Sequence, residues 1–295
     1  MIERREFSFG LLATIGGCVL HEPAAFAQDR SQKLEHDIAA IEKEHGGRLG
    51  VAVFDSASGS SAAFRGDERF PMCSTFKLLA VAATLAWVDN GKEELDRRVR
   101  FAAGDLATYS PVTKNHVGGN GMSLAEICEA AITVSDNTAA NLLLANLGGP
   151  QAVTAYARTL GDTLTRLDRN EPTLNEALPG DPRDTTSPKA MLANLRALTT
   201  GSALSSTSRE HLVRWLIGNK TGDTRLRAGL PRGWRVGDKT GSGERGTAND
   251  IAVIWPSSDR SPAFVTAYLT GSPADSEHRN AAIAAVGRAV VDFLG

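Results

Sequence analysis

Ser74 and Lys77 stand three positions apart in Phe70-Pro71-Met72-Cys73-Ser74-Thr75-Phe76-Lys77, at the opening of an apolar run that reads as a helix over 74–89. Three residues is close to one helical turn, so the two side chains share a face. A serine hydroxyl is a weak nucleophile that needs a base beside it. A lysine whose ammonium is destabilised by a site of low polarity can act as that base. The start of a helix also offers free N–H groups and a positive dipole end to a developing oxyanion. The spacing alone is a weak signal, because a serine cap and a solvated lysine produce it equally well. Ser135-Asp136-Asn137 separates two helical stretches and reads as a tight turn. There Ser135 offers a hydroxyl to relay a proton and Asn137 an amide to a substrate, although a plain helix cap accounts for the same letters. Lys-Thr-Gly occurs twice. Lys239-Thr240-Gly241 follows one strand pattern and precedes another, a context that suits a carboxylate held along a strand edge; Lys220-Thr221-Gly222 follows a helix in a polar stretch and reads as a solvated loop. Gly241-Ser242-Gly243-Glu244-Arg245-Gly246 spells G-x-G-x-x-G, but a dinucleotide fingerprint needs a helix next, and 247–254 reads as turn and strand.

These groups need elements to hold them. Leu34, Ile38 and Ile41 recur at helical spacing over 31–45. Arg48 to Asp55 reads as a strand, with a second short strand around Ala62 to Phe64. Helical patterns then follow at 74–89, 123–132, 137–147, 150–160, 187–199 and 206–217, punctuated by Gly148-Gly149-Pro150 and Pro188. Strands return at Trp234 to Asp238, Ala248 to Trp255 and Pro262 to Thr270, and a last helix covers Ser276 to Leu294. Strands at both ends with helices between them predict one sheet built from both termini and a second, helical lobe. Ligands favour the crevice between two such lobes. The chain has 295 residues and a formal charge of −2, so it is long enough for a substantial core and carries no basic footprint for nucleic acid or anionic lipid. Three cysteines and six histidines, without C-x-x-C or H-E-x-x-H, argue against a disulfide framework and a zinc site.

The first 27 residues read as an export signal: Arg4-Arg5, an apolar stretch from Phe7 to Leu20, then Ala25-Phe26-Ala27 with cleavage expected after Ala27. Arg4-Arg5-Glu6-Phe7 fits the twin-arginine type, with an ordinary secretory signal as the alternative. Ile15-Gly16-Gly17-Cys18 offers a competing lipoprotein site. The apolar stretch is too short for a permanent membrane span, and no later segment is apolar enough to be one.

In order and spacing, Ser74-Thr75-Phe76-Lys77, Ser135-Asp136-Asn137 and Lys239-Thr240-Gly241 resemble the motif triple of the serine penicillin-recognising enzymes. Arg169-Asn170-Glu171-Pro172-Thr173-Leu174-Asn175 resembles the omega loop of class A β-lactamases, and the likeness covers essentially the whole chain after the signal. The resemblance implies an α/β plus all-α fold of two lobes. An antiparallel sheet with flanking helices would come from 28–68 and 218–295, and 69–217 would form the all-α lobe that carries the nucleophile helix and omega loop. It implies an exported, periplasmic, monomeric enzyme that needs no metal or organic cofactor and hydrolyses β-lactam amides through an acyl-serine. Ser74 would attack, with Lys77 or Glu171 (through a water) taking its proton. Backbone N–H groups of Ser74 and Ser242 would form the oxyanion hole. Ser135 would pass a proton to the leaving nitrogen, and Glu171 with Asn175 would direct the deacylating water. Lys239, Thr240, Gly241 and Ser242 would hold the substrate carboxylate with Arg225 as a further candidate, Asn137 would meet the acylamide, and Tyr109 would wall the cleft. It also implies an Arg169–Asp184 ion pair across the loop neck and permits a cis peptide before Pro172. Gly243 and Val81 occupy the places where relatives carry disulfide partners, so Cys73 and Cys128 are expected to be free. The enzyme alternatives are a carboxypeptidase or transpeptidase, and the binding alternative is a β-lactam sensor that stays acylated; both lack a use for Glu171.

Overall fold

The computed structural model describes residues 24–295, with side chains from residue 28. The twin-arginine motif and Cys18 lie outside the described residues, and at Ala25-Phe26-Ala27 only the backbone is described. Helix α1 (Ala24–His45) begins earlier than the periodicity from residue 31 indicates. Strands β1 (Arg48–Asp55) and β2 (Ser61–Phe64) follow. The middle of the chain supplies α2 (Lys77–Asp89), α3 (Leu124–Thr133), α4 (Asn137–Leu147), α5 (Pro150–Thr159), α6 (Pro188–Thr199) and α7 (Ser206–Ile217). A short helix α8 (Leu226–Gly229), which sequence patterning did not indicate, precedes β3 (Arg235–Gly243), β4 (Thr247–Trp255), β5 (Ala263–Thr270) and α9 (Ser276–Leu294).

The five strands form one antiparallel sheet in the order β2-β1-β5-β4-β3, so strands from both ends of the chain pair at its centre. Alternation along each strand sends neighbouring side chains to opposite faces. Val51, Val53, Val265 and Ala267 pack with Leu34, Ile38, Ile283 and Val290 of α1 and α9. Ala52, Ile251, Val253, Phe264 and Tyr268 point the other way and join the helical core. Helix α2 is buried through Lys77–Leu85, as expected for a helix whose apolar residues run round its whole circumference. It crosses the middle of the helical core and brings its first residue, Lys77, to the sheet side.

Two differences from the expected elements matter for function. The nucleophile helix opens as a 3₁₀ turn over Cys73–Phe76, and the α-helix starts only at Lys77. Cys73 has φ +45°, which makes a tight corner immediately before Ser74. The strand expected to stop at Asp238 instead runs to Gly243, so Lys239-Thr240-Gly241 lies within it. Three glycines in that stretch weaken any local strand signal, yet continuous pairing from Arg235↔Trp255 to Gly243↔Thr247 holds it extended.

Candidate active site

Ser74 sits on the 3₁₀ turn with its Oγ donating to Glu171 Oε1 at 3.0 Å. Glu171 Oε1 is also 3.0 Å from the Lys77 ammonium, and both side chains are fully buried. Lys77 Nζ donates further to the Ser135 carbonyl at 2.8 Å, to Ser135 Oγ at 3.2 Å and to Asn137 Oδ1 at 2.7 Å. Lys239 Nζ reaches the same Ser135 Oγ at 3.0 Å. One hydroxyl therefore lies between two ammonium groups. Burial lowers the affinity of Lys77 for its proton, opposed chiefly by Glu171. Lys239 is pushed down much further, by burial and then by the positive charge of Lys77. In these surroundings both lysines can release a proton far more readily than in water.

The Ser135-Asp136-Asn137 turn is fixed from beneath. Asp136 caps α4 by accepting from Ala139 N at 2.9 Å, and it also accepts the amides of Val112 and Thr113, each at 3.0 Å. Ser135 adopts φ +58°, which turns it out of the helix toward the two lysines. Cap and site are thus the same structure, with Asp136 as the cap. The amide of Asn137 donates to the Thr108 carbonyl at 2.7 Å.

The omega loop is held at its neck by Arg169, whose Nε is 2.6 Å from Asp184 Oδ2. The Glu171–Pro172 peptide is cis. Asn141 clamps Glu171 by a reciprocal pair: Glu171 N donates to Asn141 Oδ1 and Asn141 Nδ2 to the Glu171 carbonyl, both at 2.9 Å. Asn175 Nδ2 donates to Glu171 Oε2 at 2.5 Å. The loop docks just past the end of β3 through Glu244 N, which donates to the Asn175 carbonyl at 2.9 Å. Gly243 permits this approach, because a Cβ there would lie 2.8 Å from that carbonyl oxygen and 2.6 Å from Cys73 Sγ. Cys73 and Cys128 are both buried and free, and burial pushes their thiols up, so they stay protonated.

A cleft of about 360 Å³ is lined by Ser74, Tyr109, Ser135, Asn137, Asn175, Thr221, Arg225, Thr240 and Ser242. Tyr109 stands at its rim, 57% exposed. Gly241 backs the site: a Cβ there would lie 2.7 Å from the Met72 carbonyl oxygen. Arg225, a candidate for binding a substrate carboxylate directly, has its guanidinium engaged within the protein. It donates to Asn280 Oδ1 (2.9 Å), the carbonyls of Gly241 (2.7 Å) and Asn249 (2.6 Å), and Ser242 Oγ (2.6 Å). Its charge is therefore delivered from beneath Ser242. The first Lys-Thr-Gly is not simply a solvated loop. Lys220 is exposed, but Thr221 Oγ1 is 2.6 Å from Thr240 Oγ1, and Gly222 is buried against Asp238. The duplicated motif was the signal that could have found Thr221. A larger cavity of about 490 Å³ lies behind the loop near Leu178 and Arg48 and includes none of the expected site residues.

The fold and this convergence of serine, lysine and glutamate on one cleft define the class of penicillin-recognising serine enzymes. The model of the β-lactamase enzyme family matches residues 33–294; the chain belongs to that family and is a class A β-lactamase, a hydrolase. It is 53% identical to β-lactamase CTX-M-8 of Citrobacter amalonaticus over 91% of this chain and 90% of that one. It is 46% identical to β-lactamase OXY-2 of Klebsiella oxytoca over the full length of both. Among solved structures, an ancestral class A β-lactamase (GNCA) shares 65% identity and a TM-score of 0.86, covering 88% of this chain and 98% of its own.

Proposed function

We propose that the enzyme opens the β-lactam amide by acylating Ser74 and frees itself with a water activated by Glu171. The observation that carries this reading is Glu171 Oε1, 3.0 Å from both Ser74 Oγ and Lys77 Nζ. As Ser74 Oγ bonds to the lactam carbonyl carbon, its proton has a direct acceptor in Glu171. That makes Glu171 the first acceptor in acylation, with Lys77, on the same carboxylate oxygen, as the base that stands in when Glu171 is absent or displaced. The carbonyl oxygen takes up negative charge against the N–H groups of Ser74 and Ser242, donors of a kind worth about 10²–10³ in rate each. When the C–N bond breaks, Ser135 Oγ gives its proton to the nitrogen and is resupplied by Lys77 or Lys239, both poised to release one. Lys239, Thr240 and Ser242, with Arg225 behind the last, bind the substrate carboxylate; Asn137 and Tyr109 border the acyl side chain.

Before the second half Glu171 passes the proton it took from Ser74 to Lys77 across their 3.0 Å contact, which restores the proton drawn through Ser135. As a carboxylate again, Glu171 takes a proton from water, whose oxygen attacks the ester, and gives it to Ser74 Oγ, which leaves as the alcohol. Asn175 Oδ1 is buried and receives no hydrogen bond from the described residues, which suits a water held between Asn175, Glu171 and the ester. The lobes at 28–68 with 218–295 and at 69–217 are the units between which we place the cleft. The N-terminal signal assigns the enzyme to the periplasm, and among the described residues no helix is long and apolar enough to cross a membrane.

The test mixes purified residues 28–295 with a chromogenic cephalosporin and a penicillin and follows product and protein mass. Many turnovers are expected, with Glu171→Ala acylating but accumulating the penicillin adduct and Ser74→Ala forming none. Normal turnover by Glu171→Ala would remove Glu171 from the mechanism. One stoichiometric burst by the unaltered enzyme would favour a sensor or transpeptidase.

A further inference from the structure

Asn249 is fully buried on β4, directly opposite Gly241 of β3. Its Nδ2 donates to the carbonyls of Pro71 at 2.9 Å and Met72 at 3.1 Å, the two residues that enter the turn bearing Ser74. Its own carbonyl accepts from Arg225 Nη1, which also donates to the carbonyl of Gly241. The side chain is thus tied to the nucleophile turn, and the backbone to the strand that continues into Ser242. The turn has reason to need an external restraint. Cys73 holds φ +45°, a region that residues with a Cβ avoid. The turn also lies against β3 with no room to spare: a Cβ on Gly241 would lie 2.7 Å from the Met72 oxygen and 3.2 Å from Thr75 Cγ2.

We propose that Asn249 is a positioning residue for acylation. It sets the gap between the turn carrying Ser74 and the part of β3 carrying Ser242, and so the spacing of the two backbone N–H groups read above as the oxyanion hole. The inference rests on that reading of the site. The geometry accounts for the residue type, since two neighbouring carbonyl oxygens call for a short side chain with two N–H bonds. Serine offers one donor, and an ionised aspartate would turn a negative oxygen toward both carbonyls.

The experiment compares Asn249→Ala, Asn249→Ser and Asn249→Asp with the unaltered enzyme by stopped-flow acylation with a chromogenic cephalosporin, alongside affinity for an arylboronic acid. That inhibitor forms a tetrahedral adduct on serine with an oxygen where the oxyanion develops. Misplacing such donors acts in the transition state and leaves ground-state binding alone. Acylation is therefore expected to fall about 10- to 100-fold with substrate dissociation constant unchanged, least in the serine variant. Boronate affinity should fall by the same factor. A purely structural role would lower the melting temperature while leaving rate and boronate affinity per folded molecule intact, and that result overturns the proposal. Acylation within twofold of normal in any variant that lacks both donors also overturns it. Should the alanine variant not fold, the near-isosteric aspartate and the serine variant decide. Failure of the unaltered enzyme to form an adduct at Ser74 would overturn the acyl-serine reading itself, an outcome separate from any difference among the variants.

Discussion

Lys77 offers three N–H bonds to four acceptors, two on Ser135 and one each on Asn137 and Glu171. Burial lowers its affinity for its proton, against the charge of Glu171, which favours the ammonium. Each member of such a pair is costly to bury without the other. Lys77→Ala leaves a carboxylate in the core without its cation, and Glu171→Ala leaves burial of Lys77 unopposed. Removing both discards two charges together. The double variant is therefore expected to be more stable than the sum of the singles by about 0.5–3 kcal/mol, read from urea unfolding. Strict additivity would mean that the 3.0 Å contact contributes nothing to folding.

At the scale of elements, the omega loop and the end of β3 meet beside the cleft. Glu171 owes its placement to Asn141 beneath it and to the Arg169–Asp184 pair at the loop neck. Ser74 belongs to another element. Arg169→Ala should therefore slow deacylation, by on the order of 10- to 100-fold, much more than acylation, and mass spectrometry should show the adduct persisting with penicillin. Equal slowing of both steps would mean that the loop supports the whole cleft rather than Glu171 alone. The residues that the structure gathers at the cleft were legible because they lie in short local motifs: Ser74 with Lys77, Ser135 with Asn137, Glu171 with Asn175. So were most helices and strands, whose apolar periods follow from which face is buried. The clamps were not legible. Asn141 meets Glu171 and Asn249 meets Pro71 only after the chain folds, and no local pattern marks such pairs. Arg225 was visible as an arginine near the right strand, but only the packed structure shows its guanidinium already bonded to that strand from below.

The sheet joins the two ends of the chain, so its rigidity is a property of the whole molecule, and its face behind β3 carries an unusual burden. Asp238 and Asp250 are both fully buried there, on adjoining strands. Asp238 has bonds from Arg227 and Asn219. Asp250 accepts only Leu226 N at 3.2 Å, and its Oδ1 has no partner among the described residues. Burial first and the charge of Asp238 second push Asp250 well above the ordinary carboxylate range, against the pull of Arg225 and Arg227. Asp238 moves the same way by burial but is restrained by Arg227. We therefore assign the neutral, protonated form to Asp250 in the folded enzyme. In the unfolded chain it ionises near its ordinary 3.8. Unfolding above that pH releases a proton, so the contribution of Asp250 is fully present below about pH 4 and is lost as pH rises toward its folded value. Asp250→Asn has no proton to lose. Its stability relative to the unaltered enzyme should increase with pH from about 4 upward, by up to about 1.4 kcal/mol per unit, until Asp250 ionises in the fold. Urea unfolding at intervals between pH 4 and 9 measures that difference. A constant difference would place the proton elsewhere and leave two charges buried side by side behind the strand that carries Lys239, an arrangement the low polarity of that core argues against.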